Sequence, residues 1–216
     1  MIQAKDVIRM KRCVIVGGAE IRTYDRVKRY FRADDFFIYC DCGLRHQARL
    51  GAEPDLIVGD FDSHEKPETD RETIVLPVEK DDTDMMLAIK EGLGRGETEF
   101  HLYGGMGGRT DHTIANLQGL LYLADHGARG WLYGDRERFT AIRDGSITLP
   151  AREKGIVSVF CMAADSQGVT IEGGQYTVHD AVLTSSFPLG VSNHYVGNPV
   201  RVTVTRGSLL IALIEK

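Results

Sequence analysis

Four separated runs in this 216-residue chain carry residue types that could do chemistry. They are Asp41-Cys42-Gly43, Gly59-Asp60-Phe61-Asp62-Ser63, Lys80-Asp81-Asp82-Thr83-Asp84, and the glycine-rich Gly104-Gly105-Met106-Gly107-Gly108-Arg109-Thr110-Asp111-His112. Carboxylates in such number repel one another unless a cation neutralises them. The 7 histidines are scattered, with no HxxxH pair, and the 4 cysteines form no CxxC pair. Oxygen ligands without imidazole or thiolate favour Mg²⁺ over zinc, and Mg²⁺ usually completes its shell with water and substrate phosphates. The glycine run suits that partner. At a helix start it exposes backbone N–H groups where the helix dipole favours an anion, and Arg109 adds a planar fork for phosphate oxygens. The run is not a Walker A loop: Gly104 to Thr110 is one residue short and carries Arg for Lys.

The elements that must position these runs are legible as strands and helices in alternation. Cys13–Val16, Phe36–Cys40, Leu56–Val58, Thr73–Leu76, Glu99–Tyr103 and Gly130–Tyr133 are short apolar runs, as strands covered on both faces require. Between them, Asp84–Leu93 reads as a helix with Met86, Ile89 and Leu93 on one face. Asp111–His126 reads as another, with Ile114, Leu117, Leu121 and Ala124 on one face. The rhythm predicts a doubly wound, mostly parallel α/β sheet. Ligands bind such sheets beyond the carboxyl ends of the strands, which is where the acidic and glycine-rich runs fall.

After about Phe139 the helical period disappears. Ile147–Leu149, Ile156–Cys161, Val169–Glu172, Gln175–Val178, Ala181–Leu183, Val200–Thr205 and Leu209–Ile214 are short, β-branched and separated by Gly, Asp and Asn. They predict a small antiparallel β-sandwich. The expected division is an α/β domain over 1–143 and a β-domain over 144–216. A net charge of -5, from 26 Lys plus Arg against 31 Asp plus Glu, argues against nucleic-acid binding. No run approaches the roughly 20 apolar residues that cross a bilayer, and residues 1–12 lack a secretory h-region. The cysteines read as buried reduced thiols, so the expected location is the cytoplasm.

Together, Asp41-Cys-Gly43, Pro54-Asp-Leu-Ile-Val-Gly-Asp-Phe-Asp-Ser63, Lys80-Asp-Asp-Thr-Asp84 and Gly108-Arg-Thr-Asp-His112 resemble the successive motifs of the thiamine pyrophosphokinases. Gly190-Val-Ser-Asn-His-Tyr195 resembles that family's thiamine-side motif. The resemblance runs from about Cys13 to the C-terminus. It departs at Leu209-Leu-Ile211, where some relatives place a tryptophan.

The resemblance implies ATP and thiamine as substrates, Mg²⁺, and a homodimer whose active sites lie between the α/β domain of one subunit and the β-domain of the other. It implies that Asp60, Asp62 and Asp84 order Mg²⁺ or phosphate, with Asp41 in support. Ser63, Lys80, Thr83 and Arg109 would contact phosphates, together with Asp82, Gly105 and Gly108 of the same runs. Asp111, as a further catalytic carboxylate, with His112 and Asn116, would line the nucleotide or hydroxyl side. Ser192 and Asn193 would hold thiamine. The other readings are a pyrophosphokinase of another hydroxymethyl heterocycle, such as a pterin, and a nucleotide-sensing module without catalysis. Residue by residue there are plainer roles. Asp82 or Thr83 could cap one helix, Thr110 or Asp111 the next, and Asp60, Asp62 and Asn193 suit turns.

Overall fold

The structure is a computed structural model, and it describes residues 11–61, 68–75, 77, 81–162 and 164–216. Asp62, Ser63 and Lys80 therefore lie outside the described residues.

The strands are β1 (Arg12–Val16), β2 (Phe36–Cys40), β3 (Leu56–Gly59), β4 (Glu72–Val75), β5 (Glu99–Tyr103) and β6 (Arg129–Tyr133), then β7 (Glu137–Arg143), β8 (Ser146–Leu149), β9 (Ile156–Cys161), β10 (Ser166–Glu172), β11 (Val178–Leu183), β12 (Gly190–His194), β13 (Val200–Thr203) and β14 (Ser208–Ile214). The helices are α1 (Tyr24–Lys28), α2 (Gln47–Leu50), α3 (Asp84–Gly94) and α4 (Thr110–Asp125), with a 3₁₀ turn over Asp41–His46 leading into α2. Ten strands form one sheet in the order β12-β9-β14-β7-β6-β5-β1-β2-β3-β4, and four form a second in the order β11-β10-β13-β8.

The first six strands pair in parallel, as their apolar runs predict. From β1 the chain builds outward through β2, β3 and β4, then crosses back to lay β5 on the other side of β1. The gap beyond the carboxyl ends of β1 and β5 is thus the topological switch point, the place where such sheets bind ligands. From β7 onward the additions are antiparallel: β7 on β6, β14 on β7, β9 on β14, β12 on β9. The expected α/β class followed by antiparallel β structure is what the chain adopts. The sandwich borrows one of its two layers from the far end of the same large sheet.

α3 and α4 cover one face of that sheet through a core that includes Ile15, Ile38, Phe100, Leu102, Ile89, Leu120 and Leu123. Leu120 and Leu123 are wholly buried, each contributing roughly 1.5–3 kcal/mol. The buried helix faces differ from the expected ones. In α3 they are Met85, Ala88, Ile89 and Gly92, and in α4 Asn116, Gly119, Leu120 and Leu123. Small residues at 88, 92 and 119 let the backbones come close, which rotates each helix; Leu117 and Leu121 pack at the rim and Ile114 is exposed.

On the opposite face α1 and α2 cover β1 and β2, packing Tyr24, Val27 and Leu50 on Val14, Val16 and Tyr39. Further along that face the four-stranded sheet closes the sandwich. There Leu149, Val169, Ile171 and Val202 meet Val157, Val159, Leu209 and Ile211. Cys13, Cys40 and Cys161 are buried, Cys42 is half-buried, and none forms a disulfide. Among the described residues no helix is long and apolar enough to cross a membrane.

Candidate active site

The switch point holds a cleft of about 510 Å³. Its floor is made by backbone meeting backbone. Gly17 N–H donates to the Tyr103 carbonyl and Ala19 N–H to the Gly104 carbonyl, both at 2.8 Å. Gly104 has φ +63°, and a Cβ there would stand 2.2 Å from the Gly17 carbonyl oxygen. Only glycine permits that backbone at that distance. The Asp41–His46 turn closes in equally tightly: a Cβ on Gly43 would lie 2.0 Å from the Val16 carbonyl, and one on Gly59 2.6 Å from Asp41 Cβ. The ends of β1, β2, β3 and β5 are thereby pressed together.

Of the residues singled out from sequence, Thr83, Asp84, Gly105, Gly108, Arg109, His112 and Asn116 line this one cleft. Thr83 is the N-cap of α3, its Oγ1 accepting from Met86 N–H at 3.1 Å. The capping role holds, and the Thr83 hydroxyl hydrogen remains free to donate elsewhere. The N-cap of α4 is Arg109, whose side chain makes no cap bond, so neither Thr110 nor Asp111 is the N-cap; within the first turn Asp111 Oδ1 accepts from the His112 N–H at 3.0 Å. Asn116 is buried, and its amide donates to the Gly105 carbonyl at 2.8 Å, tying the glycine run to α4. The Arg109 fork is held by Asp111 at 2.5 and 3.1 Å, which lowers the Asp111 carboxyl below its usual range. Both side chains are well exposed (73% and 62%), so the pair gains little and can exchange for a better anion.

The other calls fall around the cleft. Asp41 is buried between Cys40 and Cys42, which line the cleft. Asp60 is half-buried just beyond β3. Asp82 is engaged by Lys90 at 2.6 Å. The Cys42 thiol is pushed up by burial and then by the charges of Asp41 and, more weakly, Asp84, so it stays protonated and those two carboxylates share a neighbourhood. Among the described residues no three carboxylate, imidazole or thiolate groups converge tightly enough to hold a metal. The carboxylates around the cleft offer oxygen donors only, a chemistry that suits Mg²⁺ rather than zinc.

Ser192 and Asn193 lie on β12, the opposite edge of the large sheet. Ser192 has φ +65° and an exposed side chain. Asn193 is buried: its Oδ1 accepts from Tyr176 N–H at 3.0 Å and its Nδ2 donates to the Tyr176 carbonyl at 2.6 Å. Its amide is thus committed to shaping the Gly174–Tyr176 loop.

Sequence reasoning missed Gly17, Gly18, Ala19, Arg45 and Met85 of the cleft wall. The first two carried a signal, a Gly-Gly pair ending the first strand; Arg45 carried none. It also missed His46, which braces the wall. Because the Ala19 carbonyl only accepts, His46 Nε2 donates to it at 3.0 Å and Nδ1 accepts from the Tyr24 hydroxyl at 2.6 Å. Burial first, then Arg45, lowers the His46 imidazole below its ordinary range.

This geometry defines a doubly wound α/β protein with a ligand cleft at its switch point and a β-sandwich built on the far end of the same sheet. Residues 27–132 match the family model described as thiamin pyrophosphokinase, catalytic domain, and 146–209 that of the thiamin pyrophosphokinase vitamin B1 binding domain. The chain belongs to the thiamin pyrophosphokinase family. It is 24% identical over 209 residues to the thiamine pyrophosphokinase of Bacillus subtilis (strain 168), covering 94% of this chain and 98% of that one. Two crystal structures share the fold. That of the Bacillus subtilis thiamine pyrophosphokinase superposes with TM-score 0.83 at 22% identity, over 95% of this chain and 100% of that one. That of Geobacillus thermodenitrificans gives 0.81 at 23%, over 95% and 98%.

Proposed function

We propose that this protein transfers the pyrophosphate group of ATP to the hydroxyl of thiamine, giving thiamine diphosphate and AMP. The observation that carries the reading is the cleft itself, where glycine backbone, the start of α4, Arg109 and Asp84 converge. It sits in a chain whose second half matches a vitamin B1 binding domain.

In this reading the Gly104–Gly108 backbone and the first turn of α4 receive the phosphates. Arg109 leaves Asp111 for a phosphate oxygen, and the Thr83 hydroxyl donates its hydrogen to another. Ser63 and Lys80 add further contacts, and His112 and Asn116 border the nucleotide. Asp60, Asp62 and Asp84 would hold Mg²⁺, with Asp41 behind them; the ion supplies neutralisation of the charge on the transferring group. Positioning and charge neutralisation provide most of the catalysis in such transfers.

The acceptor side belongs to a second subunit. From β5 to β12 there are five strand-to-strand steps, β5 to β6 to β7 to β14 to β9 to β12. At about 4.8 Å each this is about 24 Å along the sheet. A thiamine held at Ser192 is therefore out of reach of its own chain's cleft. β12 is a sheet edge, and Phe187, Leu189, Val191 and Val196 around it, with Tyr176 and Val182, expose apolar surface. An exposed apolar edge of this kind suits a second copy, and two-fold pairing gives two equivalent sites. Incubation with Mg-ATP should release AMP only when thiamine is present. ADP released in step with thiamine monophosphate would reject the reading.

A further inference from the structure

A second feature lies on the sheet face opposite α3 and α4, between α1 and strands β5, β6, β7 and β14. Two adjoining cavities of about 90 and about 40 Å³ share Thr23, Val27, Tyr103, Tyr133, Gly134 and Glu137. That is room for several water-sized groups. Tyr103 is 2% exposed, and its hydroxyl has no hydrogen-bond partner among the described residues. Arg138 Nε, in the wall of the smaller cavity, is also buried without one. Buried polar groups are nearly always satisfied, so a pair left over at one cavity asks for an occupant.

The side chains stacked beside Tyr103 do not supply it. The Tyr133 ring stacks on Tyr103 at 4.6 Å, which fixes both, and the Tyr133 hydroxyl is already bonded to His101 Nδ1 at 2.9 Å. His101 Nε2 is in turn taken by Glu99 at 3.0 Å. Of the charges lining the smaller cavity, Arg26, Arg138 and Arg152 outnumber Glu137 and Glu215, and Glu215 is engaged by both Arg26 and Arg152. Among the described residues Arg138 makes no salt bridge; its guanidinium lies over Trp131, 5.0 Å from the ring centre. Burial pushes the Tyr103 phenol far up, so it remains a donor throughout the neutral range.

We infer that this groove is a binding site for a small oxyanion, a carboxylate or phosphate group, which accepts from the Tyr103 hydroxyl and Arg138 Nε. An oxyanion in the smaller cavity answers both buried donors and the three arginines that stand there against two glutamates; over the two cavities together the charges balance. The site is separate from the cleft at the switch point, although Glu20, Gly104 and Gly107 border both the larger cavity and the cleft.

Trp131 is the single tryptophan of the chain and reports on Arg138 directly. The whole protein is titrated with sodium acetate and, separately, with inorganic phosphate, ionic strength being held constant with sodium chloride. Trp131 fluorescence and Tm are followed, with and without saturating ATP. A saturable response to either anion that survives ATP is expected, and the stronger of the two names the group. Tyr103→Phe keeps the ring stack and should weaken the response about fivefold or more, the loss of one hydrogen bond; Arg138→Gln should weaken it further. An unsaturable response means ordered water only and overturns the inference. So does a response that ATP abolishes in the wild-type protein, which would belong to the cleft, or one that is unchanged in Tyr103→Phe.

Discussion

If one site is assembled from the cleft of one chain and the β12 strand of another, two inactive variants must repair each other. The perturbation pairs Asp84→Asn, in the cleft, with Ser192→Arg, which places bulk on an exposed position of β12. Within one chain the β5 side of the cleft is about 24 Å from β12 along the sheet, five strand spacings, and Asp84, on the helix packed over β1, β2 and β3, is farther still. Reaction needs the attacking hydroxyl within about 3–3.5 Å of phosphorus. A chain acting alone therefore gains nothing from mixing, whereas a shared site does. Random exchange makes about half of the dimers mixed, and each mixed dimer carries one intact site and one with both defects. About a quarter of wild-type activity should return. The assay is AMP release after subunit exchange, with exchange itself verified by mass-tagged chains. Demonstrated exchange without recovered activity would mean that both motifs serve one chain, and the sheet arithmetic would have been misapplied.

Other outcomes follow from single features. Gly104→Ala combines a left-handed backbone at φ +63° with a Cβ 2.2 Å from the Gly17 carbonyl, so it should lose about 2–5 kcal/mol; an unchanged urea midpoint would contradict the close-approach argument. Asp62→Asn should leave the circular dichroism spectrum intact and lower kcat by roughly 10² or more, while EDTA abolishes turnover; activity in excess EDTA would remove the cation from the account. His46 is held below the ordinary histidine value, so in the window between its lowered folded value and 6.5 the unfolded chain binds more protons. Its stability contribution is full above that window and declines as the pH falls through it. Tm against pH should show this loss in the wild type and less of it in His46→Gln.

Much of the parallel half was legible because strands buried on both faces have no choice but to be apolar. Leu102, Ile38 and Val58 announce themselves in that way. The helices were legible as elements but not in rotation, since Gly92 and Gly119 mark a buried face by being small rather than apolar. β7 escaped notice because Glu137, Arg138 and Arg143 interrupt its run, although Thr140 and Ala141 at its centre are buried. Gln175–Val178 and Ala181–Leu183 read as two strands; the chain forms one, Val178–Leu183, with Asp180 at φ +46° as an irregularity within it. That β14, β9 and β12 extend the first sheet could not be read at all. Strand adjacency is a tertiary fact, and alternation says only which side chains are buried. In the site, the carboxylates, glycines and Arg109 were visible through residue type, while His46 and Arg45 were not. A bracing histidine has no spacing of its own; its partners Tyr24 and Ala19 lie 22 and 27 residues away.

The central claim is the group that moves, and ATP labelled at its β-phosphorus tests it most directly. With thiamine and Mg²⁺ present, the account predicts that the β label leaves the nucleotide and is recovered in thiamine diphosphate, with unlabelled AMP as the other product. Label retained in ADP, alongside thiamine monophosphate, would contradict it.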